Sequence, residues 1–374
     1  MAALDKDTAQ KEKAIRYCIS NGILPYLEVI VNNVREITDV RTVITDLDVL
    51  GLEVSRRGNV QRTLFDCKTV GKMSAINRAF WAAGVMAYIG CNEAYVILTK
   101  KATEAHRVSA KTLNVHLFQE SDFEKYAESA NINYLDRKNY SAHISSWHSY
   151  YYIFEKNEPL KTLGEYINTR IPLEIDFAKS LRELLGIVRI NKGELNPDKN
   201  EHMSVYCSIV LSFLLVMIPI TSQLADIFDS DMNQSDYEKV LRYYVWGGRD
   251  SYIQRRDLKN SVQEVSGGKK GELELPGWER FVEVSRGLLE SPVDIKEALI
   301  PCRELSLRYI SDHDVYKDFQ LSVLLRRSNR IVQFMIAASG YLYSSAGLPK
   351  DFHDIFKEEV SLLLDLKSPN VLLT

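Results

Sequence analysis

Residues 46–68 read DLDVLGLEVSRRGNVQRTLFDCK: two apolar runs joined by a polar turn, with Asp48 inside the first and Asp66-x-Lys68 closing the second. Apolar sequence rarely tolerates acids and a lysine unless they are paired or hold a metal. Side chains alternate along a strand, so Asp66 and Lys68 project to one face. If the runs pair as a hairpin, Asp48 joins them. Two carboxylates and an ammonium converging on one point suit a hard divalent cation and a phosphate.

Asp-x-Lys alone is a weak signal, because it recurs at Asp136–Lys138, Asp257–Lys259, Asp294–Lys296 and Asp365–Lys367. The last two fall in helical patterns, where residues two apart do not face each other. Only the first copy closes an apolar strand and follows an acid placed inside another strand.

The elements around it alternate in type. Residues 6–20 are expected to be a helix ending before Asn21-Gly22, and 26–37 a strand. Residues 44–54 and 59–69 form the hairpin, 73–90 a helix stopped by Gly90, and 94–100 a buried strand. A helix near 102–112, a strand at 114–118 and a helix from 120 to 129 follow. Consecutive strands followed by crossovers imply a mixed sheet with helices on both faces, which is α/β. From 159 onward the pattern is helical, and 131–158, rich in Tyr, Asn and Ser, is expected to link the two parts, with WHSYYYIF (147–154) either forming one strand or packing between them.

The order helix–strand–DLDVLGLEV–turn–TLFDCKT–helix–strand–helix–strand resembles the restriction-endonuclease-like superfamily, the PD-(D/E)XK nucleases, over about residues 1–130. Asp48 matches the first acid of that signature, Asp66 the second and Lys68 the lysine. Leu47 stands before Asp48, so the nominal proline is absent. The resemblance implies Mg²⁺ or Mn²⁺ held by Asp48, Asp66 and the carbonyl oxygen of Cys67, with Glu12 of the first helix as a further ligand. It implies that Lys68 orients or deprotonates the attacking water, or stabilises the transition state, leaving a 5′-phosphate and a 3′-hydroxyl.

Further cations are candidates for nucleic-acid contact. Arg56 and Arg57 at the hairpin tip either touch a phosphate backbone or keep the turn soluble. Lys72 and Arg78 follow the motif, and Arg78 either points at the site or is an exposed helical arginine. Asp46 is expected either to cap the strand at its entry or to be exposed there. In the helical part, Arg249, Arg255 and Arg256 interleave with Tyr243, Tyr244, Trp246 and Tyr252, a pattern that suits either backbone clamping with base stacking or an ordinary packed helix.

Composition narrows the reading. Net charge is −3, and residues 1–130 carry 17 Lys+Arg against 16 Asp+Glu, so nucleic acid must be held by a local patch. The five cysteines are scattered without a Cys-x-x-Cys pair, and the seven histidines show no metal-ligand spacing, which argues against a zinc site or disulfide framework. The charged N-terminal stretch lacks a signal-peptide core, so a cytoplasmic location is expected. Residues 203–225 carry no charge and are nominally long enough to span a bilayer, but several serines and an acidic downstream flank favour a buried central helix.

The expectation is therefore a metal-dependent nuclease, DNA before RNA, with a restriction-endonuclease-like domain at 1–130, a linker at 131–158 and an all-α domain at 159–374. The helical domain would bind a protein partner, nucleic acid or a second copy, and a role in restriction or anti-phage defence would suit it. The alternative is a catalytically silent scaffold in which the same fold grips nucleic acid or a subunit.

Overall fold

The computed structural model describes residues 7–33, 42–55, 57–68, 73–228, 232–292 and 294–367, with Lys68 described by its backbone alone. The N-terminal part follows the expected order: α1 (Thr8–Ser20), β1 (Leu24–Asn32), β2 (Val43–Val54), β3 (Val60–Lys68), α2 (Ala75–Ile89), β4 (Glu93–Leu98), α3 (Glu104–Lys111), β5 (Val115–Gln119) and α4 (Glu120–Ala130). The five strands form one sheet in sequence order. β1, β2 and β3 pair antiparallel, while β3, β4 and β5 pair parallel through the helical crossovers α2 and α3. The element types and the mixed sheet are as the periodicity implied, while residues 34–37 of the expected first strand and residue 69 of the third lie outside the described residues.

Local chemistry sets the boundaries. Ser74 caps α2 by accepting the Asn77 N–H, and Gly90 ends it in the left-handed region, where glycine carries no Cβ penalty. The β2–β3 turn closes with Gly58 at φ +72°. A Cβ on Gly58 would run into the Ser222 side chain, so the hairpin tip is seated on the helical part of the chain.

α1 and α4 cover one face of the sheet. Tyr17 meets Phe65 edge-on at 5.8 Å, Phe123 and Tyr126 complete the aromatic layer, and Gly51 leaves room for Ile23 and Cys18. Alternation then sends Asp48 and Asp66, the neighbours of Val49 and Phe65, away from that face.

The helical remainder comprises α5 (Ile144–Lys156), α6 (Glu158–Glu165), a π-helical turn at Tyr166–Arg170, α7 (Ile171–Leu173), α8 (Phe177–Ile190), α9 (Asn200–Ala225), α10 (Gln234–Val245), α11 (Arg249–Val265), α12 (Trp278–Leu289), α13 (Leu299–Arg308), α14 (Val315–Leu325), α15 (Asn329–Ala346) and α16 (Asp351–Asp365). α9 is its axis, packed by α8, α12, α13 and α15. By length and mean hydropathy α9 could cross a membrane, yet its most apolar stretch is wholly buried inside the fold. Its serines explain how: Ser204 and Ser208 meet Ser306 of α13, while Ser212 bonds back to the Ser208 carbonyl.

Residues 131–158 differ from the expected linker. They hold two 3₁₀ turns and then α5, whose Trp147 and Tyr150 are fully buried. Trp147, Tyr150, Tyr151 and Phe154 are spaced for one helical face, and that periodicity outweighs the strand preference of tyrosine and isoleucine. Arg303 of α13 is buried over the rings of Tyr26 (5.0 Å), Trp147 (5.0 Å) and Tyr150 (5.8 Å), joining β1, α5 and α13.

Candidate active site

Backbone pairing of β2 with β3 runs from Val54↔Val60 to Val49↔Phe65 and stops there. Beyond that point β2 remains paired with β1 (Val29↔Leu47) and β3 with β4 (Asp66↔Val96). The two strands therefore fork, each held on its outer side, and Asp48 and Asp66 stand at the fork. Both are buried, 6% and 2% exposed. Asp48 Oδ2 accepts the Cys67 N–H at 2.7 Å, so a side chain fills the place where the backbone ladder would have continued. The N–H and C=O of a strand residue point the same way, so the Cys67 carbonyl also faces the fork.

Cations approach from two helices. Arg78 of α2 donates Nε and Nη2 to the two carboxylate oxygens of Asp66 in a bidentate pair, and stacks over Trp81 at 4.0 Å. Partial burial works against its guanidinium charge, but the hydrogen bonds to Asp66 and the fields of Asp66, Asp48 and Asp46 outweigh it, and its pKa is raised. Lys11 of α1, also buried, places Nζ 3.0 Å from Glu28 Oε1 and 3.8 Å from Asp48 Oδ1.

Glu28 completes the cluster. It lies in β1 opposite Asp48, between the pairs Leu27↔Val49 and Val29↔Leu47, and adopts φ +52°. A non-glycine residue in the left-handed region costs about 1–2 kcal/mol, a strain that persists where the surroundings over-determine it.

Sequence reasoning missed Lys11 and Glu28. Glu28 carried a readable signal, since it interrupts the apolar run LPYLEVIVN as Asp48 interrupts its own. Glu12, by contrast, is not at the site: its Oε1 accepts the Ile144 N–H at 3.2 Å, capping α5. Adjacent helical residues diverge by about 100°, so Lys11 faces the fork and Glu12 turns to α5. Lys68 ends β3 in register with Leu98, and its side chain lies outside the described residues, as do Arg56 and Lys72. Arg57 and Asp46 are exposed.

The distant basic group is arranged differently from a stacking platform. Tyr252 is buried and donates to Glu272, Tyr244 donates to Gln223, and Arg182 lies over Trp246 at 5.5 Å. Arg256 is engaged by Asp257, whereas Arg249 and Arg255 are exposed on α11.

The donors at the fork, two carboxylates and a backbone carbonyl directed between them, fit a hard divalent cation in type. Among the described residues no group of three or more His, Cys, Asp and Glu side chains is placed to hold a metal, so the backbone oxygen and water must complete any coordination. Arg78 occupies both oxygens of Asp66, so any ion placed there would have to compete with this guanidinium. No family model, no curated protein and no solved structure matches this chain.

Proposed function

We propose that the chain is a metal-dependent phosphodiesterase of the restriction-endonuclease-like kind, acting on nucleic acid, with DNA ahead of RNA on the resemblance of its motif. The fork carries this reading: β2 and β3 part at the two acids the motif names, and each acid is buried beside a cation. The helix, antiparallel meander and parallel crossover that surround the acids support it. Asp48, Asp66 and the Cys67 carbonyl would hold Mg²⁺ or Mn²⁺, which when bound acidifies a water and neutralises phosphate charge. Arg78 has a second partner available in such a site: a phosphate oxygen takes the bidentate fork as readily as a carboxylate does. Lys68 is assigned the proton of the attacking water, and Lys11 keeps the Glu28 and Asp48 charges compensated. A place in restriction or anti-phage defence accords with this chemistry.

The Arg78–Asp66 pair also favours a second reading, a silent scaffold in which the acids are locked in ion pairs. Cleavage of single- and double-stranded DNA and RNA with Mg²⁺ or Mn²⁺ separates the two. The phosphodiesterase reading requires activity that EDTA abolishes and that Asp48→Asn, Asp66→Asn and Lys68→Ala each reduce by about 10²-fold or more. Equal activity in wild type and all three variants identifies a contaminant and discards it.

A further inference from the structure

A groove of about 780 Å³ runs between β1 and the α5–α6 segment, and Glu28 lines it. Glu28 therefore belongs both to the groove and to the acid cluster, through Lys11. We infer that this groove takes an amino-bearing nucleobase (guanine, adenine or cytosine) next to the phosphate handled at Asp48 and Asp66, an inference that rests on the phosphodiesterase reading of that pair.

Its lining selects the occupant. Glu28 is compensated by Lys11, and Glu155 and Glu165 stand against Lys161, so the groove offers a phosphate no net attraction and leaves it to the Arg78 end of the cluster. Tyr152, 58% exposed with Lys156 Nζ over one side of its ring at 5.6 Å, and His148, also exposed, are the lining rings on which a base would stack. Asn168 sits in the wall on the π-helical turn, a distortion common at functional sites, and is only 7% exposed. Its Nδ2 bonds to the Gly164 carbonyl at 2.9 Å, and its amide also reaches the buried Tyr150 hydroxyl, so Asn168 fixes the wall of the groove. The carboxylates of Glu155 and Glu165 are acceptors, and exocyclic amino groups are the matching donors. Uracil and thymine, with carbonyls on that edge, offer a poor match. An added peptide strand suits the groove less well. The left-handed Glu28 breaks the regular edge of β1, and Tyr151 already donates to the Leu27 carbonyl at 2.6 Å.

The test uses nucleosides, which carry no phosphate, with the full chain in EDTA. Saturation-transfer NMR and equilibrium dialysis would compare guanosine, adenosine, cytidine and uridine on wild type, Tyr152→Ala, Glu155→Gln and Asp66→Asn, with melting temperatures as the folding control. Expected is binding of the three amino-bearing nucleosides, uridine weaker by about tenfold, and a similar loss in Tyr152→Ala, the size of one base–aromatic stack. Glu155→Gln weakens the same ligands, and Asp66→Asn leaves their binding intact. Absence of nucleoside binding, equal binding of uridine, or indifference to Tyr152→Ala overturns the base site. Cleavage without nucleoside binding removes the groove proposal alone, whereas nucleoside binding without cleavage removes the phosphodiesterase and leaves a base-binding site.

Discussion

Arg78 of α2 holds both carboxylate oxygens of Asp66 of β3, so the second acid of the motif is tied to the helix that follows it. Asp66 is 2% exposed, and the Arg78 side chain 16%. The pair couples the geometry of the strand fork to the seating of α2.

Removing one partner of a buried pair leaves the other charge uncompensated. Arg78→Met is expected to destabilise the protein by about 3 kcal/mol, and the double variant Arg78→Met/Asp66→Asn by less than the sum of the two singles. Urea denaturation of the four proteins measures the coupling. Additive losses would show that the pair contributes nothing beyond its parts.

Under the proposed function a divalent ion would compete with Arg78 for Asp66, so Arg78→Met is also expected to tighten Mn²⁺ binding while lowering phosphodiesterase activity. Calorimetric titration beside a cleavage assay reads both. Weakened metal binding in this variant would mean that Arg78 organises the carboxylate for the ion and does not compete with it.

Gly58 combines φ +72° with a Cβ position already occupied by Ser222 of α9. Gly58→Ala is expected to destabilise by about 2–4 kcal/mol, from left-handed strain and overpacking together. Gly58→Ala/Ser222→Gly should regain the steric part. A thermal melt of Gly58→Ala matching wild type would show that the hairpin tip is not seated on α9.

Glu304 of α13 is buried, accepting from Tyr140 N, Ser141 N and Ser141 Oγ. Burial raises its pKa above the ordinary 4.5, although those hydrogen bonds oppose the shift. A carboxyl with a raised folded pKa binds its proton more tightly in the native state, so its contribution is full below about 4.5 and declines as pH rises through the folded value. Glu304→Gln should abolish that part of the decline, measured as unfolding free energy from pH 4 to 8. An unchanged profile would remove Glu304 as its source.

The sheet was legible because its signals were local: apolar alternation, a polar turn and glycine stops mark each strand and helix of the first 130 residues. Asp48 and Asp66 were legible for the same reason, as acids where apolar residues belong. Lys11 was not, because a lysine in a helix gains meaning only when packing turns it toward β2, and one residue's rotation separates it from Glu12. The engagement of Arg78 was likewise a matter of how α2 is seated. Residues 144–156 misled because tyrosine and isoleucine favour strands, while the burial of Trp147 and Tyr150 depends on β1 and Arg303, far away in sequence. The packed state of Tyr244, Trp246 and Tyr252 has the same origin, since their partners Gln223, Arg182 and Glu272 lie outside that run.

Mn²⁺ titration followed by electron paramagnetic resonance tests most directly whether the fork between β2 and β3 is a metal centre. One ion bound per chain in wild type, and lost in both Asp48→Asn and Asp66→Asn with the fold intact, is the result expected. No bound ion in wild type, or binding that survives both substitutions, would contradict it.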